Sequence, residues 1–574
     1  MSEVAKTSGA TGETMQLKKS FNLAVLIGMA SIFNLALLAS MIAIPGDPVA
    51  TSSGKIAGTR LPSGIKAYLG IPYAKPPVDD LRWRPPQPIS WPGVWNADRK
   101  GAECIQVLRP HNINHYFGEE ATSEDCLTLN LWAPANSKAG SKIGSGLPVI
   151  VFIYGGGGTI GSAGMAHYDG EQVAAHGAIY VSINYRVGTF GFLAHPELTK
   201  EQGGHSGNYG YMDQAFALRW IHDNVAAFGG DPSKVVLMGQ SFGAGSVVAQ
   251  IFSPLSKGLF RGAVMSSGCN FTSRAATLEE GEKVGLELQK ALNASSIEEM
   301  RQVPADRILA QQAESQVGAS VRGVRTSGVI DGYFWTMQKE AALKAHANSD
   351  VPINVPLIAS YNQDDIDVGM SALARVKTVA ELHEVASRLY GANADEFLRL
   401  FPAATDDEAH AMGIQAAHEV GFEGSSRTCG ELMAKYDKSA TWIDLFTHKH
   451  PYVPGVKIAD QDTATIGAYH TADIPYWFDT LDKYNSLRPT RNWTPWDREL
   501  SEKMLGALIA FANTGNPTTP QMNWPAWSPT NEQEIVFGDK IELRKLNAAR
   551  LDWLAAHPAA ANPMPAPSRP GPRD

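Results

Sequence analysis

Cysteine is scarce in this chain of 574 residues: Cys104, Cys126, Cys269 and Cys429 are all it has. Four thiols exclude a fold that depends on a dense disulfide framework. They leave room for a local pair, and spacing cannot choose among the three full pairings. Basic stretches are also lacking. The formal net charge is −9, with no Lys/Arg-rich run, which argues against a nucleic-acid binder. No internal repeat is present, which excludes a repeat architecture. No Gly-Lys-Ser/Thr follows the four glycines at 155–158, which argues against a phosphate-cradling loop.

What is present is ordinary for a soluble globular enzyme, with 44% hydrophobic and 19% charged residues. The exception is the N-terminus. Lys18 and Lys19 precede an apolar run from Phe21 to Ile44, which Pro45, Gly46 and Asp47 end. That layout is a secretory signal or a retained membrane anchor over residues 1–45. The run is long enough to span a bilayer, which takes about 20 apolar residues. Either reading sends the rest of the chain out of the cytoplasm, where a disulfide persists. The far end, "HPAAANPMPAPSRPGPRD", is too rich in Pro and Ala to bury a core, and residues 556–574 read as a disordered tail.

Between them, residues 46–555 alternate strand and helix patterns. "ATSSGKIAGTR" reads as a hairpin. "LPVIVFIYGGGG", "AIYVSINY", "KVVLMGQS" and "FRGAVMSSG" are continuous apolar strands. "GYMDQAFALRWIHDNVAAFGG" and "GAGSVVAQIFS" have helical spacing. Unbroken apolar strands between helices predict a mainly parallel sheet covered on both faces. From Thr277 to Asn348, and again around Cys429, charged helical stretches predict a helical region over one end of that sheet. "TWIDLFTHKH" reads as strand.

Gly239-Gln240-Ser241-Phe242-Gly243 fits G-x-S-x-G. The motif alone is common by chance. Between a strand and a small-residue helix it reads as a nucleophile elbow, where strain lifts the hydroxyl above the sheet. Serine needs a base oriented by an acid. Downstream, "PLIASYNQDDIDVG" is a strand ending in acids, and "GAYHTADIPYWF" puts His470 in a loop. This is the Ser–acid–His order of such folds. His448 and His450 are rival bases or metal ligands, but no Cys or acid sits at ligand spacing, so both read as structural. The glycines at 155–158 follow a strand and offer backbone N–H groups to a developing oxyanion. The N–H of Phe242 supplies another donor, whatever its side chain.

These stretches, with "YLGIPYAKPPVDDLRW", "SEDCLTLNLWAP", "NYRVGTFGFL" and "GNYGYMDQAFALRWIHDNVAAFGGDPSKV", resemble the type B carboxylesterases, the family that also holds cholinesterases and some lipases. The resemblance runs from about Val49 to Leu546. It implies an α/β-hydrolase fold, with a large mainly parallel mixed sheet and a helical cap region. It places Ser241 as nucleophile, His470 as base, and Gly156, Gly157 and Phe242 N–H as the oxyanion hole. It pairs Cys104 with Cys126 and leaves Cys269 and Cys429 as free thiols. No cofactor or metal is implied.

The chain departs from the family at the acid, commonly D-E-G, where it has Asp364-Asp365-Ile366; Asp365 falls at the acid position and Asp364 is the fallback. The elbow, commonly G-E-S-A-G, carries Gln240 and Phe242. Gly158 stands where the family often has an aromatic. In the pocket Gln240 removes a negative charge beside the nucleophile, so the anion that would favour a choline ester is missing, while Phe242 adds bulk at one wall and Gly158 removes it at another. The expected activity is hydrolysis of a small carboxylic ester by a secreted or membrane-tethered enzyme. The competing readings are a lipase with a lid over the Cys104–Cys126 loop, and a non-catalytic binding protein of the same fold.

Overall fold

Among the residues described in the computed structural model, eleven strands pair edge to edge into one sheet. The described residues are 44, 47–108, 121–138, 140, 143–312, 324, 326–347, 354–458, 462–486 and 488–560. The apolar leader, the body of the C-terminal tail and the 109–120 part of the Cys104–Cys126 loop lie outside them.

The strands are β1 (Thr59–Arg60), β2 (Lys66–Pro72), β3 (Thr128–Ala133), β4 (Leu147–Ile153), β5 (Ile179–Ile183), β6 (Gly230–Gln240), β7 (Gly262–Ser266), β8 (Leu357–Asn362), β9 (Thr441–Phe446), β10 (Gln533–Phe537) and β11 (Ile541–Lys545). Their order is 11-10-9-8-7-6-4-5-3-2-1. The central run from β5 through β4, β6, β7, β8 and β9 to β10 is parallel. The edges are antiparallel. Every residue of β5, β7, β8 and β9 is buried, as expected of strands covered on both faces. Residues 49–57 form the predicted hairpin outside this sheet.

The helices that matter below are α1 (Tyr209–Asn224), α2 (Phe242–Phe252), α3 (Leu278–Ala291), α4 (Ile366–Met370), α5 (Val379–Tyr390), α6 (Asp406–Val420), α7 (Phe422–Tyr436), α8 (Ile474–Phe478) and α9 (Pro495–Thr514). Their ends follow from local chemistry. Thr277 with Glu280, Thr405 with Glu408 and Thr494 with Asp497 close reciprocal caps on the first turns of α3, α6 and α9. Gly515 in the left-handed region ends α9. This is the α/β-hydrolase architecture. Helical stretches also pack in apolar clusters besides the main core. Leu288 of α3 joins Trp83, Phe192 and Tyr211, whereas Leu382 of α5 and Ala416 of α6 join Phe397 and Trp553.

Several of the quoted stretches turn out to brace the scaffold. Arg82 donates to Glu124 at 2.7 and 2.5 Å, beside the Cys104–Cys126 disulfide, and also to the carbonyls of Arg301 and Val303. Arg186 donates to Asp213 of α1 at 2.8 and 2.7 Å, both residues buried. A buried charge survives only when paired in this way.

Cys269 and Cys429 correct the sequence reading: they are bonded to each other, not free, with Cα atoms 6.4 Å apart. The bond ties the loop after β7 to α7 across 160 residues, a neighbourhood that linear spacing cannot reveal. Closing so long a loop restricts the unfolded chain, by about 5 kcal/mol in a chain-entropy picture and about 2–5 kcal/mol in practice. Cys429→Ser is therefore expected to lower the thermal midpoint. The denatured, unreduced parent should show no thiol to a reactive dye, and one reactive pair would remove this bond.

Candidate active site

The elbow is a steric necessity of its two glycines. A Cβ on Gly239 would lie 2.2 Å from the Gly243 carbonyl oxygen, and one on Gly243 would lie 2.1 Å from that of Ile153. With neither present, β6 turns directly into α2. Ser241 sits at the turn with φ 58° and ψ −122°, outside the range L-residues favour. The turn is held by Ser241 N–H donating to Ser266 O at 2.8 Å and Gly245 N–H donating to Ser241 O at 3.0 Å.

β8 delivers the candidate acid. After Asn362 the chain turns, and Asp365 caps α4 by accepting the Ile366 N–H at 2.7 Å. Its other oxygen accepts the Ser267 hydroxyl at 2.5 Å. The first oxygen also meets Nδ1 of His470 at 2.5 Å. Asp364 takes a different part. It accepts the Ala468 N–H at 2.8 Å and donates its own N–H to Ala468 O at 3.0 Å, clasping the histidine loop. Gly467, with φ 64°, makes room: a Cβ there would sit 2.0 Å from the Asp364 carboxylate.

The structure therefore brings Asp365, His470 and the Ser241 elbow together across 230 residues of sequence. The contact at Nε2 is unexpected. The side-chain amide of Gln240 lies 3.1 Å from Nε2 of His470, and among the described residues no hydrogen bond joins Ser241 to that ring.

Gly156, Gly157 and Gly158 follow β4 with φ of 95°, 63° and 72°. Three left-handed residues in succession suit only glycine. Among the described residues none accepts a hydrogen bond from the N–H of Gly156 or Gly157. The N–H of Phe242, first in α2, has no acceptor within its own helix. The Phe242 ring lies against Phe192 and Tyr211, with centroids 5.5 and 5.9 Å away. It also covers Gly158, where a Cβ would come within 2.6 Å of it.

Burial opposes charge on His470, but Asp365 outweighs it, helped by Asp473 and Asp367, so the imidazole's pKa is raised from 6.5. Burial likewise pushes the Asp365 carboxyl up, and the His470 contact with the Ser267 and Ile366 hydrogen bonds brings it below the usual carboxylate value. Behind the pair lies a network that the sequence did not signal. Buried Asp473 accepts from Ser266 at 2.7 Å and from Asn362 at 3.1 Å. Asn362 also reaches Ser267 at 3.3 Å. Only the folded sheet places those residues side by side.

His448 and His450 lie just past β9, not on it. His448 meets Asp497 at 3.0 Å and Asp539 at 2.9 Å, so its acids come from distant segments and not from local spacing. His450 is buried, with Nε2 2.9 Å from the Ala472 carbonyl. Among the described residues no group of His, Cys, Asp and Glu could hold a metal ion.

A sequence model of the Carboxylesterase family matches residues 46–552. The chain belongs to that family. This carboxylesterase is 33% identical over 503 residues to the fumonisin B1 esterase of Sphingopyxis macrogoltabida, covering 86% of each chain. It is 30% identical over 502 residues to the para-nitrobenzyl esterase of Bacillus subtilis, covering 86% of this chain and 95% of that one. A solved structure of PNB esterase superposes with a TM-score of 0.70 at 27% identity, covering 88% of this carboxylesterase and 98% of that chain.

Proposed function

We propose that this carboxylesterase hydrolyses small carboxylic esters through an acyl-enzyme on Ser241, with His470 as base and Asp365 as its orienting acid. The observation that carries the reading is the 2.5 Å contact of His470 Nδ1 with a buried carboxylate, at the mouth of a glycine-flanked elbow.

In this reading Ser241 Oγ attacks the ester carbonyl and its proton passes to His470 Nε2. The N–H groups of Gly156, Gly157 and Phe242 bind the oxyanion. Each such donor is worth about 3 kcal/mol. The intermediate collapses, and the leaving alkoxide takes the proton from His470. Water then attacks the acyl-enzyme by the same path, releasing the acid and regenerating the serine. Asp365 stays ionised throughout and stabilises the imidazolium. Catalysis needs neutral His470, so activity is lost as pH falls through its pKa. Because that pKa is raised, the acid limb is expected above the ordinary histidine value of 6.5.

The relatives' names give fumonisin B1 and p-nitrobenzyl esters as their substrates. Here Phe242 and Gly158 form the acyl wall, the ring occupying space that a side chain at 158 would otherwise fill. The leader and the two disulfides suit an enzyme working outside the cytoplasm, secreted or tethered. Among the described residues no helix is long and apolar enough to cross a membrane.

The test is a panel of p-nitrophenyl esters of increasing acyl length. Hydrolysis of short esters is expected. Phe242→Ala should raise kcat/KM for longer acyl groups relative to acetate by about tenfold, the scale of a methylene or two in an apolar pocket. An unchanged profile would remove Phe242 from the acyl wall.

A further inference from the structure

The imidazole that serves as base has one lone pair to offer, and a neighbour other than the nucleophile already occupies it. His470 gives its Nδ1–H to the Asp365 carboxylate at 2.5 Å. In the neutral ring Nε2 is then an acceptor only. The group 3.1 Å from Nε2 is Nε2 of the Gln240 amide, a donor. Gln240 is 1% exposed, and its place is built by the scaffold: a Cβ on Gly155 would lie 2.7 Å from its Oε1.

We propose that Gln240 is a positioning residue that holds His470 in its neutral form with Nε2 turned toward the elbow, competing with the Ser241 hydroxyl for that lone pair. The proposal rests on the triad reading above. A donor facing Nε2 favours the free base and opposes the imidazolium. A carboxylate at the same position would do the reverse. The titratable groups facing the ring are Asp365, Asp473 and Asp367, the last with its carboxyl pushed up to about 7 by burial and by Asp365; each favours the imidazolium when ionised. Gln240 is the counterweight, and it sets where the base titrates.

The experiment compares pH profiles of kcat/KM for the parent, Gln240→Glu and Gln240→Met on p-nitrophenyl acetate. Gln240→Glu should move the acid limb up by one pH unit or more, as a carboxylate within about 4–6 Å of a cation does. Gln240→Met, which only removes the donor, should move it up by a smaller amount, about half a unit, with KM unchanged. If Gln240→Glu turns over too slowly to profile, titration of the His470 ring by nitrogen-15 NMR gives the same shift directly. Acid limbs and ring titrations that coincide with the parent's overturn the proposal. Retained hydrolysis by Ser241→Ala would mean instead that the triad reading has failed. A dead Ser241→Ala with an unmoved Gln240→Glu limb sinks this inference alone.

Discussion

Ser241→Ala is expected to lower kcat on p-nitrophenyl acetate by about a million-fold, to the residue of rate that binding and oxyanion donors supply. The size follows from the chemistry. In the proposed mechanism Ser241 Oγ is the atom that forms the acyl bond, so its removal would close the covalent route and leave His470 with nothing to deprotonate but water. The change is also structurally mild. Ser241 keeps its unusual φ of 58° because Gly239 and Gly243 and the bonds to Ser266 and Gly245 impose it, and none of these uses the hydroxyl. The fold should therefore survive, and circular dichroism and the thermal midpoint should match the parent. Mass spectrometry after treatment with a phosphonate ester should find the adduct on the Ser241 peptide in the parent and none in the variant. A burst of p-nitrophenol from Ser241→Ala would overturn the assignment.

Asp365→Asn is expected to cost about ten-thousand-fold in kcat. Asparagine fills the same space but presents an amide that can donate to Nδ1. The ring then carries its proton on Nε2, where it cannot accept from Ser241. The charge that stabilises the imidazolium is lost too. Asp364→Asn should cost less than tenfold, because the amide oxygen can still accept the Ala468 N–H that holds the loop. Two carboxylates adjacent in sequence thus separate by about three orders of magnitude. If Asp364→Asn proved the more damaging, the acid would be misassigned. Stability carries a second signature. Folding lowers the Asp365 pKa and raises that of His470, so each group favours the folded state when charged. The carboxylate's contribution is present above its unfolded pKa and is lost as pH falls through the lower folded value. The imidazolium's contribution is full below its unfolded pKa and is lost as pH rises through the higher folded one. Their joint stabilisation is greatest between the acid and histidine ranges, below the pH at which the enzyme is expected to work best.

Much of this protein was legible in one dimension. Continuous apolar runs marked the buried strands, because a strand covered on both faces has no polar side to show. The elbow was legible as a motif, although only half of its sterics are local: the Gly243 carbonyl keeps Gly239 bare, whereas Ile153 of β4, distant in sequence, excludes a Cβ from Gly243. The order Ser241, Asp365, His470 is a property of the chain and was legible as such.

What the chain could not specify by itself was contact between residues far apart in sequence. Cys269 and Cys429 read as free thiols, and only the packing of the loop after β7 against α7 made them a bond. Asp364 and Asp365 are adjacent and chemically alike, and the turn after β8 decided which faces His470 and which clasps its loop. Gln240 read as a pocket residue, and the fold set its amide beside the His470 ring. Hydrophobic pattern and turn chemistry act over a few residues and are written in sequence. Hydrogen bonds, ion pairs and disulfides between distant segments depend on distances that exist only once the sheet has assembled.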